Sequence, residues 1–211
     1  MNYVICISGD GGGNIGPSGV FQELAKTHLE HWTFIPYDTI PFDLSQNQQA
    51  VTRLIMHLQG EDRSVYLLGW SLGAVVAIKV FQDLKNKELI RGLILVSPTS
   101  NYLTNLEQVT LPVGLIHGQQ DQVVKCQVSE RLNHQLPNVH ELIRLQECDH
   151  NYTGHLTLLY QHIIELIFAI HTKNQETSPQ KRKQPETESH SEPVIKDDDC
   201  SIPPTKKINQ A

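Results

Sequence analysis

Gly69-Trp70-Ser71-Leu72-Gly73 combines a serine with the small residues that a strained turn needs. Glycines two positions either side of a serine suit a sharp passage from strand to helix. Such a turn pushes the hydroxyl into the open, and the glycines let the two elements approach closely. A helix starting at Leu72 would aim its first amides at the site and favour a developing negative charge there. The corresponding chemistry is nucleophilic attack by Ser71, which requires a neighbouring base to take the hydroxyl proton. A second glycine-rich segment runs from Ser8 through Gly9-Asp10-Gly11-Gly12-Gly13 to Asn14. A turn of this kind can instead cradle phosphate. It is not G-x-x-x-x-G-K-[ST], but Gly11, Gly13 and Gly16 satisfy G-x-G-x-x-G, with Asp38 as a candidate ribose ligand. Pro17 and the missing partner motifs make nucleotide binding the lesser reading. The 11 histidines are scattered without paired ligand spacing, so neither a metal nor a cofactor is expected.

These groups must be held by elements, and short apolar runs alternate with helical patterns over residues 1–170. Strands are expected at Tyr3–Ser8, Thr33–Tyr37, Val65–Leu68, Leu93–Ser97, Val113–His117 and His140–Leu145. Helices are expected at Phe21–Leu29, Leu44–Leu58, Leu72–Leu84, Val124–Leu136 and His155–Ile170. The strands are mostly apolar throughout, as strands covered on both faces must be. The pattern predicts an α/β fold, a doubly wound, mostly parallel sheet of about six strands with helices on both faces. In such a sheet ligands bind beyond the carboxyl ends of the strands.

With Ser71 between an apolar run and an Ala/Val-rich helix, the chain resembles the α/β-hydrolase family over residues 1–170. The resemblance implies a small serine hydrolase that acts on a carboxylic ester or thioester through an acyl-serine. The family's acid follows a later strand, where His117-Gly118-Gln119-Gln120-Asp121-Gln122-Val123-Val124 reads as H-G-x-x-D-x-x-V and supplies Asp121. An ordinary turn aspartate capping the next helix is the alternative. Glu107 is the substitute acid after the fourth strand. The family's base follows the last strand, where His150 stands before the final helix. His117 precedes the acid, and His134 and His155 read as helix residues. Asp149 reads as a surface or capping carboxylate. Ser71, Asp121 and His150 then follow three different strands in the chain order of that fold. One oxyanion donor would be the Leu72 amide. The other would come from the loop after the first strand, where the family often has H-G-x-G. Here Ser8-Gly9 replaces His-Gly, so Asp10 falls at the donor position, with Gly11 the near alternative. A carboxylate there is unfavourable unless it turns away or meets a positive group. Trp70 and Tyr152 are candidates to line an acyl pocket, with ordinary packing as the alternative. Too few residues separate the fourth and fifth strands for the lid the family often carries. An open site favours soluble esters, thioesters or acylated macromolecules over long-chain lipids. A catalytically inactive fold used as a binding module is the competing reading.

Composition bounds the remainder. The chain has 211 residues, 39% hydrophobic, and a formal net charge of −6. Residues 171–211 hold seven basic and seven acidic residues, so the whole −6 lies in 1–170. An acidic body argues against nucleic acid as the main ligand. From 172 onward Pro, Ser, Thr, Lys and Glu dominate, predicting a 1–171 domain followed by a disordered polar tail at 172–211. Its KRK at 181–183 and KK at 206–207 could serve nuclear import or a protein partner; a solvated tail is the favoured reading. Cys6, Cys126, Cys148 and Cys200 form no CxxC pair, which suits free thiols in a reducing compartment. The first apolar run is too short for a signal sequence or a membrane span, so a cytoplasmic protein is expected.

Overall fold

Both faces of every central strand are covered, and that explains apolar runs in place of strict alternation. The computed structural model describes residues 1–10, 15–60 and 63–177. Its strands are β1 (Asn2–Ile7), β2 (Trp32–Tyr37), β3 (Ser64–Trp70), β4 (Ile90–Val96), β5 (Val113–Gly118) and β6 (Val139–Leu145). Its helices are α1 (Val20–Lys26), α2 (Leu44–His57), α3 (Leu72–Asp83), α4 (Gln127–Gln135) and α5 (Leu156–Thr177). The six strands form one all-parallel sheet in the order β2-β1-β3-β4-β5-β6. This is the expected doubly wound α/β architecture. Pro36, which cannot donate to a ladder, sits in β2 at the sheet edge, where that loss is tolerated.

The pleat sorts the core into two layers. Ile5, Ile7, Leu67, Leu93, Leu95 and Leu115 face α2, α3 and α4. Val4, Cys6, Tyr66, Leu68, Ile94 and Ile116 face α1 and α5. Consecutive residues of one strand therefore belong to opposite layers. A fully buried Leu or Ile contributes about 1.5–3 kcal/mol, so the two layers hold the strand ends firmly enough to position loops.

The strand order reverses beside β1. The chain leaves β1 toward β2 on one side, then returns to form β3 on the other. A crevice opens at such a reversal, beyond the carboxyl ends of β1 and β3. The segment between β4 and β5 contains a single 3₁₀ turn, Leu106–Gln108, and no lid helix.

Several boundaries differ from expectation: α1 ends at Lys26 rather than Leu29, β3 runs on to Trp70 rather than Leu68, and β4 begins at Ile90 rather than Leu93. α4 begins at Gln127 rather than Val124, because the Asp121 carboxylate takes the N–H groups of Val123 and Val124 into a turn. α5 continues past Ile170 to Thr177. Its polar end is tied to the sheet by Tyr66 Oη to His171 Nδ1 at 2.8 Å and by Asn174 Nδ2 donating to Arg91 O at 2.8 Å. The domain therefore reaches beyond residue 171. The rest of the tail, with both basic clusters and Cys200, lies outside the described residues. No described helix is long and apolar enough to cross a membrane.

Candidate active site

Ser71 joins β3 directly to α3 with φ +54° and ψ −114°, a backbone that serine adopts only under constraint. Its N–H donates to Val96 O at 2.9 Å, which pins the turn to β4. Its hydroxyl is not used to cap α3. The two glycines of the motif are sterically required. A Cβ on Gly73 would stand 2.1 Å from Ile7 O, and one on Gly69 would stand 2.5 Å from Gly73 O. Leu72 opens α3, so its N–H has no partner within the helix.

The loop after β1 closes on this turn. A Cβ on Gly9 would come within 3.1 Å of Ser71 Cβ. Buried Ser8 and Thr39 fix the loop through a chain of hydrogen bonds. Thr39 N donates to Ser8 Oγ at 3.1 Å, the two hydroxyls meet at 3.1 Å, and Thr39 Oγ1 donates to Gly9 O at 2.8 Å. Serine in place of histidine thus has a structural use at position 8: its small hydroxyl is consumed by the β2 loop. Asp10 turns its carboxylate aside to accept from Phe42 N at 3.2 Å. Gly11 lies outside the described residues.

Asp121 and His150 come together in a separate, buried arrangement. His150 Nδ1 is 2.7 Å from Asp121 Oδ2. A carboxylate can only accept, so Nδ1 carries the proton and Nε2 is left as the basic nitrogen. Asp121 Oδ1 accepts from Val123 N at 2.9 Å and from Val124 N at 2.7 Å. Burial would raise the Asp121 pKa, but hydrogen bonds from His117, His150 and Val124 outweigh it and hold the carboxyl well below the usual carboxylate range. The acid and histidine loops touch: a Cβ on Gly118 would stand 2.2 Å from Cys148 O, and Gln120 N donates to that carbonyl at 3.0 Å.

Trp70 connects this pair to the serine turn. Its ring lies against the His150 imidazole, centroids 5.5 Å apart, and its Nε1 donates to His150 O at 3.2 Å. Trp70 is therefore a buried support for His150 rather than a lining of the cleft. Tyr152 likewise departs from expectation. It is fully buried, its hydroxyl meets Ser97 Oγ at 3.0 Å, and burial pushes its pKa far up. It anchors the histidine loop to the end of β4 and is not a pocket residue. Ser18 holds the same loop by donating to Asn151 O and Tyr152 O. Asp149 accepts from Thr153 N at 2.9 Å and so shapes the turn.

His117 went unrecognised in the sequence as a partner of the acid. It is buried at the end of β5, with Nε2 at 2.8 Å from Val124 O and 3.3 Å from Asp121 Oδ2, and Nδ1 at 2.6 Å from Ser129 Oγ. Its Nε2 faces two acceptors and so carries a proton. The available signal was its spacing, four residues ahead of Asp121 across a tight turn.

A cleft of about 340 Å³ opens beside Leu72, lined also by Asp10, Phe42 and Leu44 and by Thr99, Asn101 and Tyr102 of the segment after β4. Among the described residues no cluster of three or more His, Cys, Asp or Glu is arranged to hold a metal ion. Cys6, Cys126 and Cys148 are buried free thiols whose pKa values burial raises, which makes them poor nucleophiles.

No protein-family model and no curated protein sequence matches this chain. Solved structures do. Est1E from Butyrivibrio proteoclasticus superposes with a TM-score of 0.63 at 17% identity, covering 82% of this chain and 89% of that one. The alpha/beta hydrolase domain-containing protein 10 from mouse gives a TM-score of 0.60 at 18% identity, covering 80% and 90%. A lipase-esterase related protein from Clostridium acetobutylicum gives 0.60 at 16% identity, covering 78% and 94%. At these identities the likeness is one of fold.

Proposed function

We propose that this chain, which has the α/β-hydrolase fold, is a serine hydrolase that cleaves a carboxylic ester or thioester through an acyl-serine intermediate. The observation that supports the reading is the buried Asp121–His150 pair, whose geometry leaves Nε2 basic on the loop that packs against Trp70, the residue that precedes the strained Ser71 in the chain. In this mechanism His150 Nε2 takes the Ser71 proton as Oγ attacks the acyl carbon. The oxyanion is met by the Leu72 N–H at the start of α3 and by an N–H of the loop holding Asp10 and Gly11. Collapse breaks the acyl bond, and His150 returns the proton to the departing alcohol or thiol. A water, deprotonated by His150, then attacks the acyl-serine, and Ser71 recovers its proton as the acid leaves. Asp121 keeps the imidazole in the productive tautomer and balances its transient charge. The names of the structural neighbours, an esterase-related protein and an α/β-hydrolase domain protein, agree with this class of reaction.

Hydrolysis of short esters and thioesters tests it. Ser71→Ala and His150→Ala should each lower kcat by roughly 10⁵-fold or more at unchanged folding. Activity surviving in a folded Ser71→Ala protein would remove Ser71 from the reaction.

A further inference from the structure

Phe42 and Tyr102 are doubly costly residues. Phe42 is 90% exposed and Tyr102 is 69% exposed. Both also hold a left-handed backbone, φ +58° and +69°, which bulky side chains rarely adopt. Exposure and backbone strain coincide at the two aromatic residues that line the cleft beside Leu72. Strained residues that persist gather where function needs them. Phe42 is further tied to the loop after β1, since its N–H donates to Asp10 Oδ1 at 3.2 Å. Among the described residues nine large hydrophobics are exposed, and five of them (Ile15, Ile40, Phe42, Tyr102 and Val123) lie on loops following β1, β2, β4 and β5. Those loops all surround the carboxyl ends of the strands, so the apolar exposure is concentrated around the candidate site rather than scattered.

From these observations, and resting on the serine-hydrolase reading, we infer that the cleft is the acyl subsite and takes a neutral, ring-bearing acyl group clamped between Phe42 and Tyr102. The side of the site follows from proton transfer. The leaving group must reach His150 to be protonated, whereas neither His150 nor its loop lines the cleft. The cleft shares Leu72 and Asp10 with the oxyanion side, so it receives the part of the substrate that stays on the serine. Leu44 and Leu72 form apolar walls, and two aromatic rings favour a planar partner by offset or edge contacts. The Asp10 carboxylate on one wall disfavours an acyl chain that ends in a carboxylate.

S-ethyl thioesters of 3-phenylpropanoic, hexanoic, succinic and acetic acids test this, with thiol release as the readout, because the leaving group is then constant and non-aromatic. The expected order of kcat/KM is phenylpropanoyl, hexanoyl, acetyl, with succinyl lowest, and the phenylpropanoyl thioester about tenfold above the acetyl one. Phe42→Ala and Tyr102→Ala should each cost the phenylpropanoyl thioester about five- to tenfold, mostly in KM, and leave the acetyl thioester within about twofold. Tyr102→Phe should keep the preference. Turnover of all acyl groups alike by the wild type, or equal losses on every thioester in the alanine variants, overturns the acyl assignment while leaving the serine-hydrolase reading intact. No turnover of any thioester, with no reaction of Ser71 toward a fluorophosphonate, overturns both.

Discussion

Burial alone would push the Asp121 carboxyl toward its neutral form, and hydrogen bonds from His117, His150 and Val124 reverse that. The folded pKa lies below the unfolded value of about 3.9. The ionised group therefore contributes stability that is complete above the unfolded value and is lost as pH falls through the depressed folded one. Asp121→Asn should remove this contribution, so the wild type should lose more stability between about pH 5 and pH 3 than the variant. Urea midpoints at the two pH values measure the difference; equal losses would contradict the assignment. The same variant should lower kcat by about 10⁴-fold, because an amide can donate to His150 Nδ1 and favour the wrong tautomer. His117 acts on the acid from the other side. His117→Ala leaves Ser129 and the Val124 carbonyl without their partner in a buried site, at about 1–3 kcal/mol, which thermal unfolding would register. That Ser71, Asp121 and His150 each follow a strand was legible in the composition, whereas their grouping came from the resemblance to the α/β-hydrolases. The supports were not legible. His117–Asp121, Ser8–Thr39 and Ser18–Tyr152 are pairings set by how loops meet, and no local pattern encodes them. For Trp70 and Tyr152 the sequence left both alternatives open for the same reason, since an aromatic beside a reactive residue can face the cleft or the core and only packing decides which.

Elements set the precision of the site. The G-x-S-x-G turn works only if α3 lies directly on the end of β1. Gly73→Ala would drive a methyl into Ile7 O and should cost about 1–3 kcal/mol or more, together with most of the activity. A fully active, fully stable Gly73→Ala protein would show that the close approach is not needed. The strands were readable as short apolar runs, and several elements, among them β1, β4, β5, α2 and α4, end close to a glycine or proline. Two of the boundaries that moved have a visible cause. Asp121 captures amides that would otherwise open α4. The end of α5 is polar in composition yet is held by Tyr66, Arg91 and Asn138. A chain ending at residue 170 should therefore melt several degrees below one ending at 178, with each lost hydrogen bond worth about 0.5–1.5 kcal/mol. Equal melting temperatures would mean that the last turns of α5 contribute nothing.

On the scale of the molecule, one reversal of strand order does the placing. It opens a crevice where the ends of β1 and β3 part, and the acid and histidine loops of β5 and β6 reach toward it from farther along the sheet. Among the described residues the short β4–β5 segment contributes only a 3₁₀ turn and no helix beside that crevice. Two tightly packed layers beneath keep three separate loops in register. In the proposed mechanism this framework turns Ser71 into a nucleophile. The most direct measurement is reaction of the full-length protein with a fluorophosphonate, followed by intact mass and peptide mapping. One adduct on the peptide carrying Ser71, absent in Ser71→Ala and slowed strongly in His150→Ala, is the predicted result. A folded wild-type protein that gains no adduct, or gains one elsewhere, would contradict it.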